Sequence, residues 1–157
     1  MRVGIGFDAH RFTEGRPLML GGVEVPFERG LAGHSDADVV LHALMDAMLG
    51  AGAWGDIGMM FPDDDEAYRG ASSLELLKRV AVFLEGRGCV LENADITLIC
   101  QAPRISEHSR PMRTAIAAAC GVEEDAISIK GKTTEGMGFT GRGEGIAAIA
   151  VALVRPL

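Results

Sequence analysis

The chain has 157 residues, 48% of them hydrophobic and 24% charged, which is enough apolar material for one core in one domain and too much for a disordered segment. A formal charge of −7 and a pI near 5.0 exclude general nucleic-acid binding and attraction to an anionic membrane, since neither would meet a basic face. Three cysteines, Cys89, Cys100 and Cys120, are odd in number and widely spaced, which predicts reduced thiols rather than a disulfide framework.

No charged-then-apolar leader precedes the first strand, and the longest apolar run, Ile146 to Val154, is shorter than the roughly 20 residues a bilayer requires. The expectation is a cytoplasmic protein with no membrane segment. Arg2 to Phe7 alternates apolar and small residues as a strand does, so Asp8 and His10, two positions apart at its end, point to one side. Leu18 and Val25 then bracket Gly21-Gly22, a two-residue hairpin signal.

His34-Ser35-Asp36-Ala37-Asp38 reads as a helix start, with Ser35 as N-cap, Asp38 as a capping-box acid and a helix from about Asp36 to Leu49 that stops at Gly50. Along it Asp38, His42 and Asp46 form a polar line drifting only about 40° per step. Such a line is either a solvent-facing edge or a row with partners, and Asp46 is a candidate for orienting His42. If the helix returns across the strand end, Asp8, His10 and His42 make an Asp/His/His metal set with a coordination position left open. His34, just before the expected N-cap, would reach an anion held at that helix N-terminus.

Trp54-Gly55-Asp56-Ile57-Gly58 leads into Phe61-Pro62-Asp63-Asp64-Asp65-Glu66, an acidic run that is either a solvated turn or a lid carrying a carboxylate over a polar substrate. Ser72 and Glu75 open a second helix with Leu74, Leu77, Ala81 and Leu84 on its apolar face and Gly86 as its stop. Val90 to Gln101 is a long strand, and a third helix starts between Ser106 and Pro111 and runs to Gly121. Ala126 to Lys130 is a short strand that delivers Gly131 to Gly136. Gly131-Lys132-Thr133 is not a P-loop, because the required earlier glycine is Ala126; a backbone turn with hydroxyls and a carboxylate at a strand end still suits phosphate and magnesium. The glycines from 138 to 145 read first as turn chemistry. The last strand, Gly145 to Val154, is rich in alanine and β-branched residues, as expected of a strand packed on both faces. The sum is an α+β chain, a two-layer α/β sandwich with a mixed sheet packed on helices, forming a single domain over residues 1–157.

An Asp/His/His set serves zinc and also the facial triad of non-haem iron oxygenases, which usually occupy a jelly roll; the helices here favour zinc beside an anion. A metallophosphatase and a binding module that uses its metal structurally are the competing functional classes.

Across essentially its whole length the sequence resembles the 2-C-methyl-D-erythritol 2,4-cyclodiphosphate synthase family of the non-mevalonate isoprenoid pathway. The resemblance runs through Arg2 to His10, His34-Ser35-Asp36-Ala37-Asp38, Gly55-Asp56-Ile57-Gly58, Phe61-Pro62-Asp63 and Phe139 to Gly145. It implies a homotrimeric lyase with active sites between subunits, one Zn2+ per chain on Asp8, His10 and His42, and Mg2+ or Mn2+ held through the substrate diphosphate by Glu135. His34 and Thr133 would stabilise the transition state. Asp8, His10, His34, Ser35, Asp56, Ile57, Gly58, Phe61, Asp63 and Asp65 would contact the methylerythritol phosphate and its reacting end. Cys100, Ala102, Pro103, Arg104 and Ile105, with Lys132, Thr133, Thr134 and Glu135 of a neighbour, would hold the cytidine diphosphate, and Phe139 and Arg142 would lie near the trimer axis.

Overall fold

The computed structural model describes residues 1–62 and 64–157. Its first half contains strands β1 (Arg2–Thr13), β2 (Leu18–Leu20), β3 (Val23–Val25) and β4 (Gly30–Leu31), then helices α1 (Val39–Ala51), α2 (Ile57–Met60) and α3 (Ser73–Gly86). Strand β5 (Cys89–Ile99), helix α4 (Ser109–Cys120), strand β6 (Ile127–Lys132), the short helix α5 (Gly138–Gly141) and strand β7 (Gly145–Pro156) complete it. The main sheet has the order β4-β1-β7-β5-β6; β5 and β6 run parallel and the other pairs antiparallel. It is thus a mixed sheet with helices, of the α+β class.

Strand β1 continues well past the alternating stretch because β7 pairs with it from Arg2↔Val154 to Arg11↔Gly145. Gly4 and Gly6 share one side of it with Asp8 and His10, and α1 lies against that side. A Cβ on Gly4 would stand 2.0 Å from the Ala47 carbonyl oxygen, and one on Gly6 would stand 1.9 Å from that of Ala43. Only glycine permits the helix backbone to come this near, and the nearness carries His42 to the strand end.

Helix α1 begins later than its sequence suggests. Ala37 has a φ of 58°, which breaks the helical path between Ser35 and Asp38, so Asp38 and not Ser35 is the N-cap, accepting from the Leu41 amide at 3.2 Å. The same carboxylate accepts from the Gly21 amide at 2.9 Å and the Gly22 amide at 2.7 Å. Those glycines, with φ of 60° and 78°, form the expected β2–β3 hairpin turn, in which both central residues take positive φ. Burial pushes the Asp38 carboxyl up, against the pull of these N–H groups. Gly50 lies inside the helix, which closes at Gly52.

Helix α3 has Ser72 as N-cap but without a side-chain bond, and Glu75 pairs with Lys78 at 2.6 Å instead of closing a capping box. Its buried line is Leu76, Leu77, Val80 and Leu84, rotated from the expected one, with Leu74 and Ala81 at its margin. Gly86 is its last helical residue. Helix α4 carries Pro111 in its first turn and ends on Gly121 at a φ of 66°, as its sequence implies. The glycine-rich segment after β6 includes the single turn α5 where only turns were expected.

Strand β7 departs most from expectation. Its Ile146, Ala148, Ala150, Ala152 and Val154 are buried under the helices, but the opposite face carries exposed Val151 beside Ile5, with Val3 and Phe7 also more than half exposed. Among the described residues no second layer covers that face, and no helix is long and apolar enough to cross a membrane.

Gly6→Ala forces a methyl onto a helix carbonyl that has no side chain to move aside. The expected cost is about 1–3 kcal/mol, read as a melting temperature lowered by several degrees; an unchanged melting temperature would show that α1 does not depend on this contact.

Candidate functional site

Side-chain parity on β1 and the approach of α1 bring the expected metal set together. Asp8 Oδ2 lies 2.9 Å from His10 Nε2 and 3.0 Å from His42 Nδ1. The two imidazole nitrogens are 3.2 Å apart, and ligand atoms of all three residues fall within 4.8 Å of one another. His10 Nδ1 donates to the Ala32 carbonyl at 2.8 Å, and a carbonyl only accepts, so the His10 Nε2 lone pair faces the cluster. Burial would raise the Asp8 carboxyl, but its contacts with His10 and His42 outweigh burial and hold it well below the usual carboxylate range. Burial would lower His10, yet Asp8 prevails and raises it above the usual imidazole value. A carboxylate and imidazole nitrogens gathered this closely favour a positive charge at their centre, and they are ligand types that suit zinc and similar ions.

This cluster lines a cavity of about 220 Å³ together with His34, Ser35, Ile57, Gly58 and Phe61. Ser35 Oγ accepts from the Ala37 amide and lies 3.2 Å from His42 Nε2. His34 is at the mouth, its Nε2 donating to the Asp65 carbonyl at 3.3 Å. The helix N-terminus that His34 was expected to serve already carries the Asp38 carboxylate, which accepts from the Leu41 amide. Asp56 caps α2 by accepting from the Met59 amide at 2.9 Å, and Asp65 caps a following 3-10 turn through the Ala67 amide. Asp63 lies outside the described residues.

Asp46 does not orient His42. It reaches the other way, Oδ1 accepting from the Ile57 amide at 2.8 Å, and so anchors the start of α2 over the cavity. Its carboxyl is raised, chiefly by burial.

The remaining expected residues gather elsewhere. Cys100, Pro103, Arg104, Ile105, Lys132 and Thr133 line a second cavity of about 360 Å³, beside the cis peptide between Ala102 and Pro103. Burial pushes the Cys100 thiol up to about 11, which makes it a lining group and no nucleophile at neutral pH. Thr133 Oγ1 donates to Glu135 Oε1 at 2.9 Å, while Thr134 binds the Met137 carbonyl and meets Thr140 Oγ1 at 3.0 Å. Phe139 borders a third hollow with His10, Arg11 and Glu144, and Arg142 pairs with Glu144 at 2.6 Å. Within one chain, therefore, Asp8, His10 and His42 line one cavity, while Lys132 and Thr133, expected to reach residues 100–105 from a neighbouring subunit, share the other with that segment of their own chain.

Sequence reasoning missed several participants. Arg16 donates to the Gly33 carbonyl at 2.7 Å and to that of Ser35, strapping the loop before α1. Asp36 and Ser73 meet behind His42. Ser73 stands beside Ser72, on which the capping argument rests, and its local sequence carries no signal of a partner in the site.

The sequence model of the YgbB family matches residues 1–155. The 2-C-methyl-D-erythritol 2,4-cyclodiphosphate synthase of Alkaliphilus oremlandii is 54% identical over 154 residues, covering 98% of this chain and 98% of that protein. Among solved structures, a 2C-methyl-D-erythritol-2,4-cyclodiphosphate synthase in a CDP-bound form superposes with a TM-score of 0.89 at 36% identity, over 98% of this chain and 100% of that one. The IspF–CDP complex of Plasmodium falciparum gives a TM-score of 0.86 at 32% identity, over 99% and 96%.

Asp46→Ala removes the acceptor of the Ile57 amide, a bond worth about 1.4 kcal/mol, so amide exchange at Ile57 should quicken about tenfold. Asp46→Asn keeps an acceptor oxygen and should stay close to the parent; equal exchange in all three proteins would contradict the anchor.

Proposed function

The chain belongs to the YgbB family, and from that membership we infer that it converts 4-diphosphocytidyl-2-C-methyl-D-erythritol 2-phosphate into 2-C-methyl-D-erythritol 2,4-cyclodiphosphate with release of CMP. An oxygen of the substrate's 2-phosphate attacks the β-phosphorus. The bond from that phosphorus to the oxygen bridging the α-phosphate breaks, and CMP departs with its electron pair. The nucleophile belongs to the substrate and is already largely ionised near neutral pH, so alignment and charge neutralisation are what the protein must supply. Holding the two ends of one molecule in register lowers such a barrier by roughly 7–11 kcal/mol in favourable cases.

The single structural observation that supports this reading beside the family membership is the convergence of Asp8, His10 and His42 on one point in a cavity. Their donor set fits zinc, one per chain, and Glu135 would hold magnesium or manganese through the diphosphate; such ions act as Lewis acids that neutralise charge on phosphoryl oxygens. His34 at the mouth and Thr133 at its strand end would donate to the reacting phosphates. Ser35, Asp56, Ile57, Gly58, Phe61, Asp63 and Asp65 would bind the methylerythritol phosphate. Cys100, Ala102, Pro103, Arg104 and Ile105, with Lys132, Thr133 and Thr134, would seat the cytidine diphosphate.

Ser35, Ile57, Gly58 and Phe61 line one cavity of a chain and Cys100, Pro103, Arg104, Ile105, Lys132 and Thr133 another, which supports an active site completed between subunits. The apolar strip of Val3, Ile5, Phe7 and Val151 supports a homotrimer in which the bare sheet face of a two-layer sandwich turns inward, with Phe139 and Arg142 near the axis. The free Cys89, Cys100 and Cys120 support a reducing, cytoplasmic setting.

Purified protein supplied with the cytidyl substrate, zinc and magnesium should yield CMP and the cyclic diphosphate in equal amounts. Linear hydrolysis products alone would instead identify a phosphatase. Dialysis against a chelator should abolish turnover and added zinc restore it. Native mass spectrometry should find three chains; a monomer that is fully active would refute the shared site.

A further inference from the structure

His42 presents its two ring nitrogens to two different settings. Nδ1 faces the cluster, near Asp8 and His10. Nε2 faces inward, 3.0 Å from Ser73 Oγ. Ser73 is fully buried at the first turn of α3. It is tied twice to Asp36, its hydroxyl donating to Oδ1 and its amide to Oδ2 at 2.9 Å. Asp36 also accepts from the Asp38 amide at 3.2 Å, and its own amide donates to the Ala71 carbonyl at 3.1 Å, so it is held by the chain on both sides.

The polarity of this row follows from what each group is able to give. An ionised carboxylate accepts and never donates, so the Ser73 proton points at Asp36. The lone pairs of Ser73 Oγ then face His42, and Nε2 is the ring nitrogen that carries hydrogen. A neutral imidazole has one N–H and one lone pair; Asp8 Oδ2, 3.0 Å from Nδ1, is the competing acceptor for that hydrogen, so it is the Ser73 contact that draws the hydrogen to Nε2 and turns the lone pair on Nδ1 toward the cluster. Ser35 Oγ, 3.2 Å from the same Nε2, takes the Ala37 amide proton on one lone pair and has a second lone pair open to the Nε2 hydrogen.

We propose that Ser73, aimed by Asp36, is a positioning residue that fixes His42 as the Nε2–H tautomer and thereby presets Nδ1 as the metal-ligating atom. The proposal rests on the reading of Asp8, His10 and His42 as a metal centre. It assigns to α3 a part in the site although that helix contributes no ligand: the amide and hydroxyl at its first turn fix Asp36 and orient the ring. Outer partners of this kind commonly matter to metal affinity by about 10–100-fold.

The test has two readouts. Long-range 1H–15N spectra of the metal-free protein at pH 8, labelled at histidine, should show a larger fraction of His42 protonated at Nε2 than in Ser73→Ala, where the Asp8 carboxylate beside Nδ1 gains the ring hydrogen. Zinc affinity, measured by competition with a chromophoric chelator, should fall about 10–100-fold in Ser73→Ala. Asp36→Asn is the second variant and serves if Ser73→Ala fails to fold. Its amide is able to donate to Ser73 Oγ, which lets the hydroxyl turn its proton to Nε2, so His42 should shift toward the Nδ1–H form and zinc affinity should drop. A folded variant with the parent tautomer and parent zinc affinity overturns the proposal. Failure of the parent protein to take up zinc would instead strike the metal reading, and the tautomer spectra of the metal-free chain would still decide the role of Ser73.

Discussion

The site depends on how near a helix is allowed to come to a strand. Gly4 and Gly6 leave the inner side of β1 without side chains, and the carbonyls of Ala43 and Ala47 occupy the space their Cβ atoms would need. Two residues farther along the same side the strand changes from no side chain to Asp8, and then to His10. The glycines set the separation between two backbones, and the next two inward residues make use of it. A helix seated a few ångströms higher would leave His42 out of reach of Asp8, because an imidazole has no length to spare.

Helix α1 is otherwise apolar and buried, so its polar line has to find partners inside the protein. Each member does so differently. Asp38 gathers backbone amides, His42 completes the cluster, and Asp46 holds the start of α2. One stripe thus fixes the hairpin on one side, the acceptor cluster in the middle and the rim of the cavity on the other. In a chain with a formal charge of −7, a site that concentrates still more acceptors has a clear electrostatic demand. A cation at the cluster would answer that demand.

The sequence made local chemistry legible where period and residue type agreed. Alternation along β1 placed Asp8 and His10 together, and Gly21-Gly22 announced a hairpin. The spacing of His42 on its helix was also correct. The N-cap was misread because two acceptable caps, Ser35 and Asp38, lie three residues apart, and the choice between them turns on the positive φ of Ala37, a backbone state that alanine does not advertise. Asp46 was read with the wrong partner, since a carboxylate on a helix does not reveal which neighbouring loop amide it will meet. Ser73 and Asp36 were illegible for a related reason: they stand 37 residues apart, and their meeting is a product of the tertiary fold. The open face of β7 likewise could not be distinguished by composition from a face that the same chain covers.

The carboxylate of Asp38 joins three amides from two parts of the chain, and this has a bearing on how the structure comes apart as well as on how it stands. Strands of three residues such as β2 and β3 do not persist alone in water. Their turn is closed on a group that reaches its place only when α1 has begun, and the first turn of α1 in turn uses the same oxygen. Neither piece opens without stranding a buried partner of the other, so the hairpin and the helix start form one cooperative unit. Helix α1 is therefore protected from fraying at the end nearest His42 by a ribbon that contributes no lining residue to the cavity.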